Sequence, residues 1–265
     1  MSMFVHGKWN GLLIMAVTVL ALLPPLAATI YDRGLAVLAG LALAAAVALL
    51  WQLVFERVRG RAHQWSWAAT AIVFVVLTPA EVPLWQQALA VSFGVVLGEQ
   101  VFGGWGRNFL NPAAVAVAFL LFSFPASAAG PESMVLAIAS AVSGVALLAA
   151  RLASWRIIVG FAIAGTAASL VATGSLDANW IAGGYVVFAL VFLVSDPVSA
   201  ASTNAGRWIH GAMAGGLMIM LGQAGTGPGS VNAAVFAALL ASLFAPLVDR
   251  IVIEIHVWRR NRRHG

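Results

Sequence analysis

The sequence predicts an all-α polytopic membrane protein with about ten transmembrane helices, arranged as two inverted five-helix repeats that contain broken or half helices. Three observations carry this prediction. Of the 265 residues, 62% are hydrophobic and only 9% are charged, whereas soluble domains are about 25% charged. Apolar runs near the length of a bilayer-spanning helix recur along the whole chain. Several of these runs are short and flanked by Pro, Gly, Asn or Asp, which is typical of half helices in transporters built from repeats.

The apolar runs define ten predicted spans within a single integral membrane domain, 1–265. No polar block is long enough to fold as a separate soluble domain. The first run is too long for the core of a signal peptide, so we expect it to remain as a helix. Repeat 1 covers about 10–125, repeat 2 about 134–250, and a basic cytoplasmic tail 250–265. The predicted spans are 10–30, 35–55, 67–79, 84–98, 112–125, 134–150, 157–172, 181–194, 208–221 and 231–248.

The basic residues predict the orientation of these spans. With a cytoplasmic N-terminus, the outside segments carry only Arg33, and every other one of the 14 Lys and Arg residues falls inside. The positive-inside rule therefore favours cytoplasmic N- and C-termini and an even number of spans. The chain is expected in a bacterial inner (cytoplasmic) membrane, in contact with the lipid bilayer.

Composition also excludes several classes of function. The chain has no cysteine, which excludes disulfides, thiol catalysis and iron–sulfur clusters held by this chain. The net charge of +5 comes from basic residues that punctuate apolar segments, a topogenic pattern that predicts no nucleic-acid partner. The five histidines show no paired metal or haem spacing, and no metal site is predicted.

Polar segments at the ends of short spans repeat after five spans. Span 3 ends in LTPAEVP (Leu77–Pro83), and span 8 ends in VSDPVSA (Val194–Ala200). Span 5 follows RNFLNPA (Arg107–Ala113), and span 10 follows GPGSVNA (Gly227–Ala233). Because five is odd, the second copy is expected to be inverted, with a site where the broken helices meet.

The stretch GEQVFGGWGRNFLNPAAVAVAF, Gly98–Phe119, is unusually polar for this chain. Non-helical backbone at membrane depth persists only inside protein or beside a cavity. Asn111 is expected to cap span 5, with Pro112 in its first turn. Two uses remain open. The stretch is either a packed re-entrant connection, or it presents N–H groups, Asn108 and Asn111 to a ligand.

The second polar stretch is SDPVSAASTNAGRWIHG, Ser195–Gly211. An acid at the edge of a span, here Asp196, is a candidate functional residue. The alternative is that Asp196 caps the next half helix or pairs with Arg207 or Arg107. Asp249, at the end of span 10, is a further candidate, with a local salt bridge to Arg250 as the alternative.

Four blocks of this sequence resemble a known family. The blocks are GEQVFGGWGRNFLNPAAVAVAF, LASWRI (Leu152–Ile157), FLVSDPVSAASTNAGRW and LFAPLVDRIV (Leu243–Val252). In order and spacing they are similar to the NqrB/RnfD family, whose members are membrane subunits of the sodium-translocating NADH:quinone oxidoreductase and of the Rnf electron transport complex. The resemblance runs from about Leu84 to the C-terminus.

The resemblance implies a urea-transporter-like fold of two inverted five-helix repeats. It also implies a membrane subunit of a flavin-dependent electron transport complex, with other subunits as partners and quinone as electron acceptor. The family carries a covalent FMN on a Thr outside the membrane. The corresponding segment here, FPASAAGPESMV (Phe124–Val135), has no Thr, so no covalent FMN is expected. The expected cofactor is non-covalent riboflavin or FMN.

The same resemblance implies the site residues. The residues expected to bind the flavin are Gly103, Gly104, Gly106, Asn108, Asn111, Asp196, Ser199 and Thr203. The family has an acid immediately before VFGG, where this chain has Gln100 preceded by Glu99, which leaves sodium coupling open. The candidates for ion coupling are Glu99, Gln100, Asp196 and Asp249.

The sequence therefore predicts a membrane subunit that relays electrons, towards quinone, with ion translocation as a further expectation. It is expected to act as a subunit of an oxidoreductase and not as a stand-alone enzyme, and no catalytic residue is assigned. Two alternatives remain open. One is a small-solute channel or transporter on the same inverted-repeat fold. The other is a non-catalytic assembly anchor for a redox complex.

Overall fold

The structure, a computed structural model, describes residues 11–60, 63–79, 81–125, 133–174, 179–226 and 230–264. Within these residues it contains ten α-helices and no strand. The helices are α1 (Gly11–Arg33), α2 (Val37–Arg59), α3 (Ser66–Leu77), α4 (Leu84–Val95), α5 (Pro112–Ser123), α6 (Met134–Ala149), α7 (Trp155–Thr173), α8 (Gly184–Ala189), α9 (Asn204–Leu221) and α10 (Val231–His264).

Three helices are extended by a π-helical turn. The turn Val96–Gln100 follows α4, Leu190–Val194 follows α8, and Gly222–Thr226 follows α9. A short 3₁₀ segment, Asn179–Ala182, precedes α8. Single π-helical turns occur frequently at functional sites, and two of these three adjoin the polar stretches singled out above.

The all-α prediction is confirmed for the described residues, and their apolar helices fit a polytopic membrane protein. By length and composition, α1, α2, α7 and residues Val231–Arg262 of α10 could cross a membrane. Shorter apolar helices are Ser66–Leu77, Pro112–Ser123, Met134–Ala149 and Gly184–Val194. Large apolar side chains such as Leu20, Val145 and Val171 are exposed on the surface of the helices, as expected for residues that face lipid.

Several predicted boundaries differ from the structure by a few residues, and the differences at α9 and α10 have identifiable causes. Helix α9 begins at Asn204, four residues before the predicted start, because Thr203 caps it. Helix α10 continues to His264 without interruption, so the residues predicted to form a basic tail are helical. Between Pro246 and Gly265 the chain has neither Gly nor Pro, so no breaker stops the helix.

The short helices α3 and α8 lie in the interior. Every residue from Thr70 to Leu77 is buried, and so is every residue of the π-helical turn Leu190–Val194. Their ends therefore bring unpaired backbone N–H and C=O groups inside the protein, where these groups need hydrogen-bond partners. Arg33 does this for α3: its guanidinium donates to the carbonyls of Val76 (3.2 Å) and Thr78 and to the Tyr185 hydroxyl (2.8 Å).

Glycines set the closest helix contacts. A Cβ on Gly211 of α9 would lie 2.2 Å from the carbonyl oxygen of Ile157 in α7, and one on Gly215 would lie 2.2 Å from that of Phe161. In the other half, a Cβ on Gly94 of α4 would lie 2.5 Å from the Pro112 carbonyl oxygen of α5. Small residues that let backbones touch are the usual means of packing membrane helices. The α4–α5 contact also holds Asn111 against the interior.

Candidate functional site

A pocket of about 610 Å³, part of it open to solvent, lies where the polar stretches meet the interior helices. Its walls come from α1, α3, the residues between Glu99 and Pro112, and the segment after α8. This figure counts all the space between the atoms, including space open to solvent, so it is an upper bound on the room for a ligand. The pocket is a candidate binding site because predicted site residues from both polar stretches line it.

The lining of the pocket is apolar with a few polar groups. The apolar part comes mainly from Ile14, Met15, Leu22, Ala69, Val73, Trp105 and Phe192. The polar part comes from Thr18, Ser66, Thr70, Glu99, Asn108, Asn111 and Asp196. An apolar slot with a few placed polar groups is the usual composition of a cofactor site. Four of the predicted site residues, Glu99, Asn108, Asn111 and Asp196, thus line one pocket.

Asn111 caps α5 and also bonds to Asp196 of the second polar stretch. Its Oδ1 accepts from the N–H groups of Ala113 (3.0 Å) and Ala114 (3.3 Å), which caps α5. Pro112 occupies the first turn, so the predicted cap is confirmed. The Nδ2 of the same side chain donates to Asp196 Oδ2 at 3.3 Å. Asn111 therefore joins the two polar stretches, which are far apart in sequence.

Asp196 is held by hydrogen bonds and has no arginine partner among the described contacts. Its Oδ2 accepts from the Ser199 hydroxyl (2.9 Å) and from Asn111, and its Oδ1 accepts from the Val198 N–H (3.3 Å). Ser199 thus reaches the site through Asp196 and does not line the pocket. The pairing with Arg107 or Arg207 that the sequence left open is not formed.

Glu99 is almost completely buried, with 2% of its surface exposed. Its Oε1 accepts from the Ser66 hydroxyl of α3 (2.9 Å) and from Gln100 Nε2 (3.0 Å). The described ion pairs are His63–Glu56 and Arg250–Glu254, so neither Glu99 nor Asp196 has a basic partner within the described residues. Two carboxyl groups therefore face one pocket without a counter-charge there.

The predicted glycines shape the loop beside the pocket. Gly103, Gly104 and Gly106 have φ angles of 112°, 90° and 81°, a region that residues with a side chain rarely adopt. The Gly106 N–H donates to Asn108 Oδ1 (3.2 Å), and Asn108 Nδ2 donates to the Leu110 carbonyl (2.6 Å). These contacts fix the orientation of Asn108 in the pocket wall.

A second, smaller pocket shares no lining residue with the first. Its volume is about 250 Å³, part of it open to solvent, and both polar and apolar surface line it. Gln100, Gly103 and Gly104 line this pocket together with Gln52, Phe55, Glu56, Arg59 and Gln64. Gln100 is hydrogen-bonded to Glu99, so the two pockets are separated by this pair of side chains.

Thr203 and Asp249 form a separate cluster. Asp249 accepts from the N–H groups of Ser202 (2.7 Å) and Thr203 (3.0 Å) and from both hydroxyls. The Thr203 hydroxyl accepts from the Gly206 N–H (3.0 Å) and caps α9. Neither residue lines the pocket, and Arg250 pairs with Glu254 and not with Asp249. The described contacts of Asp249 are those of a helix-capping residue.

Substituting Asp249→Ala is expected to destabilise the protein by about 2 kcal/mol, because four donors at the start of α9 lose their anionic acceptor. Thermal unfolding in detergent measures this loss. The matched control is Glu254→Ala, which removes an exposed i,i+4 ion pair of about 0.5 kcal/mol or less. If Asp249→Ala unfolds at the same temperature as the wild type, the capping interpretation is wrong.

Several pocket residues were not predicted. Ser66 and Thr70 of α3, the start of α1 and Trp105 all line the pocket. Trp105 lies within the glycine-rich stretch, so its position was a usable signal. Ser66, and Gln52 of α2, are polar residues in apolar helices, which was also a usable signal. Both are buried in the structure. The contribution of α1 carries less signal, because Thr18 is the one polar residue among those of its residues that line the pocket.

The fold and the site define a class: an all-α protein whose apolar helices fit a polytopic membrane protein, with a pocket lined by both polar stretches. The chain belongs to the NQR2, RnfD, RnfE family, which it matches over residues 1–134 and 128–257. It is 35% identical over 270 residues to the NqrB subunit of the Na(+)-translocating NADH-quinone reductase of Pseudomonas aeruginosa (strain LESB58), covering 81% of this chain and 66% of that protein.

The corresponding proteins of other bacteria are also similar. The NqrB subunit of Yersinia pestis is 32% identical over 278 residues, covering 80% of this chain and 65% of the relative. That of Haemophilus influenzae (strain PittEE) is 30% identical over 276 residues, covering 82% and 66%. This chain thus spans just under two thirds of the length of these curated relatives.

Proposed function

We propose that this protein is a membrane subunit of an electron transport complex, in which it relays electrons towards quinone through a non-covalently bound flavin. The partners are other subunits of the complex, one of which supplies the electrons. The observation that carries the proposal is the pocket, because it is built from Asn108, Asn111 and Asp196, residues of the two blocks most specific to the family.

The composition of the pocket lining supports the binding of the isoalloxazine ring of a flavin. The ring needs a flat apolar slot and a few hydrogen-bond partners at its edge. Trp105, Val73 and Phe192 offer apolar surface, and Thr70 and Asn108 offer polar groups that reach the lining. The carboxyl groups of Glu99 and Asp196 are acceptors for the ring N–H. A bound flavin supplies one- and two-electron transfer, and the protein's part is to bind and orient it.

The charge of the pocket favours riboflavin over FMN. Glu99 and Asp196 both line it, and no Arg, Lys or His is among its described lining residues. A phosphate group would be repelled by the carboxylates and would find no cation to pair with. The neutral ribityl chain of riboflavin avoids that repulsion, so the residues of this pocket suit riboflavin better than FMN.

Attachment of the flavin through Thr is not part of the proposal. The segment that corresponds to the family's flavinylation site, Phe124–Val135, contains no Thr. Residues 126–132 of it lie outside the described residues. The two stretches matched to the family, 1–134 and 128–257, also meet here. The cofactor is accordingly proposed to be held by contacts alone.

The proposed architecture is two inverted five-helix repeats, α1–α5 and α6–α10. The packing supports it, since contacts within one repeat recur in the other. Helix α1 packs on α3 as α6 packs on α8, α2 on α4 as α7 on α9, and α4 on α5 as α9 on α10. Cross-contacts between α1 and α6 and between α5 and α10 pair equivalent helices, as a pseudo-two-fold axis requires. GPGSVNA, the proposed counterpart of RNFLNPA, lies partly outside the described residues.

Ion translocation is proposed as the coupled process. The relatives carry Na(+)-translocating in their names. Here, Glu99 and Asp196 face the pocket without a basic partner in the described part of the chain, and uncompensated buried acids mark ion and proton pathways in membrane proteins. We place the protein in the bacterial inner membrane with both termini cytoplasmic, which the distribution of Lys and Arg supports.

The test is the absorption spectrum of the purified protein, recorded before and after acid precipitation. We expect a flavin spectrum in the native protein, release of the flavin into the acid supernatant, and an intact chain whose mass equals that of the sequence. Chromatography of the supernatant then separates riboflavin from FMN. A chain carrying the added mass of FMN would contradict the non-covalent proposal, and a protein without flavin would contradict the pocket assignment.

A further inference from the structure

An exposed apolar stripe follows one side of α10. It consists of Phe244, Leu247, Ile251, Ile255 and Trp258, which are spaced by three, four, four and three residues. Each of these side chains is between 43% and 54% exposed. Residues with this spacing lie on one side of a helix, and the same spacing is typical of the contact between two paired helices. These five residues are called the α10 stripe below.

The second half of the α10 stripe lies beyond the helix bundle. Asp249 accepts hydrogen bonds from residues at the start of α9, so α10 leaves the bundle near this residue. The helix then continues to His264, which is about 22 Å further. From Arg250 to Arg262, every side chain except that of Val252 is exposed. A helical segment of this length is only marginally stable in water unless one of its faces packs against another element.

The charged residues of this segment lie off the α10 stripe or at its end. Arg250 and Glu254 pair with each other (2.9 Å) on another side of the helix. Three arginines that form none of the described ion pairs follow the stripe: Arg259, Arg260 and Arg262. The guanidinium of Arg262 lies 3.9 Å from the centre of the Trp258 ring. The surface is therefore apolar along its length and basic at its end.

This pattern of charge distinguishes between the possible occupants. Lipid surrounds a helix on all sides, so it gives no reason to keep charge off one side only. Two copies of the chain have the same orientation in a membrane, so their α10 helices would run parallel and bring their arginines together, which is repulsive. A helix of another protein, apolar along the contact and acidic at the end that meets the arginines, has neither disadvantage.

We propose that the α10 stripe is the docking surface for a helix of another subunit of the complex. That helix presents an apolar stripe of its own and carries Asp or Glu opposite Arg259, Arg260 and Arg262. Trp258 anchors the contact, since buried tryptophans contribute a large share of the binding energy at interfaces. This docking rests on the proposed function only in that it needs a complex, and it does not need a flavin.

Photocrosslinking in native membranes tests the docking surface. The photoreactive amino acid p-benzoylphenylalanine replaces Ile255 on the stripe or, as the matched control, Ile253. The control residue is also exposed, but it lies two positions away and so on nearly the opposite side of the helix. We expect the Ile255 variant to give at least about tenfold more crosslinked product with a different protein than the Ile253 variant. Mass spectrometry of the product is expected to identify an apolar helix that ends in carboxylates.

Charge reversal tests the basic end of the surface. Arg259→Glu combined with Arg260→Glu is expected to lower the amount of copurifying partner by at least about tenfold, because carboxylates then face carboxylates. Replacing the acids of the crosslinked helix by Arg should restore the amount. The matched control is Arg250→Glu combined with Glu254→Arg, which reverses two charges off the stripe and keeps their ion pair. We expect it to leave copurification unchanged.

Thermal unfolding in detergent shows that each variant is folded, as expected for exposed positions beyond the bundle. A crosslink to a second copy of the chain or to lipid alone would overturn the proposal. So would equal or absent crosslinking at Ile255 and Ile253, or unchanged copurification after the reversal of Arg259 and Arg260. A flavin-free protein that shows the expected crosslink would contradict the flavin assignment alone. A flavin-bound protein without the crosslink would contradict the docking surface alone.

Discussion

Substituting Gly211→Ala is expected to abolish recovery of folded protein. A Cβ there would lie 2.2 Å from the Ile157 carbonyl oxygen and 2.9 Å from the Ile157 Cα, both backbone atoms of α7. No rotamer change can relieve such a clash, because the added atom is fixed to the backbone of α9. The helices would have to separate along a contact that also includes Gly160 and Gly215. Overpacking of this kind costs at least about 1–3 kcal/mol, and more where backbone opposes backbone.

The same helix offers a matched control. A Cβ on Gly216 would meet nothing within 4 Å, and alanine favours a helix over glycine by about 1 kcal/mol. Gly216→Ala is therefore expected to be recovered as well as the wild type or better. Size-exclusion chromatography in detergent and thermal unfolding compare the two variants. If Gly211→Ala elutes and melts like Gly216→Ala, the close α7–α9 contact does not exist.

Filling the main pocket is expected to remove the flavin and leave the fold intact. Ala69 of α3 lines the pocket and is only partly buried, so a larger side chain there has the empty space of the pocket to occupy. Ala69→Phe should therefore displace the ring with little strain on the surrounding helices. The flavin-to-chain ratio of the purified variant is expected to fall at least about tenfold, since overlap with the ligand leaves no productive pose.

Ala146→Phe is the control for this substitution. Ala146 is an exposed residue of α6, so the same change adds an aromatic ring on the outside of the bundle and away from the pocket. We expect its flavin content to equal that of the wild type. Equal flavin content in a folded Ala69→Phe protein would place the flavin elsewhere in the molecule.

The sequence predicted the helices well because membrane helices are specified by apolar length. Each predicted span overlaps a helix, although among the described residues only four helices are long and apolar enough to cross a membrane. The predicted short spans, such as Ser66–Leu77 and Pro112–Ser123, are short in the structure. The start of α5 was correct because its cap, Asn111, was recognised in the sequence. The start of α9 was wrong because its cap, Thr203, was not recognised, and the end of α10 was wrong because no breaker stops the helix.

The site was predicted in part, because composition shows polar residues but not which of them meet. Asn108, Asn111, Asp196 and Glu99 converge on one pocket, as the broken-helix argument expects. Thr203 also lies in a family block, but it bonds Asp249 at the start of α9. Sequence position alone did not distinguish Thr203 from the residues that line the pocket, since both follow a broken helix. Thr203 differs from them because it contacts α10 through Asp249.

The contribution of α1 could not have been predicted from its residues. Ile14, Met15 and Leu22 form one wall of the pocket, yet they do not differ in type from residues that face lipid. Their role depends on where α1 packs against α3, which is a property of the assembled fold. The four blocks that resemble the family begin at Gly98, so no motif in α1 indicated this wall.

The central claim is that the main pocket holds a flavin without a covalent bond. Titration of flavin-depleted protein with riboflavin and with FMN tests this claim most directly. The titration follows flavin fluorescence in the wild type and in Ala69→Phe. The account predicts saturable binding of one riboflavin per wild-type chain, weaker binding of FMN because of Glu99 and Asp196, and no saturable binding by folded Ala69→Phe. Equal binding of riboflavin by wild type and Ala69→Phe, or no binding by either, would contradict it.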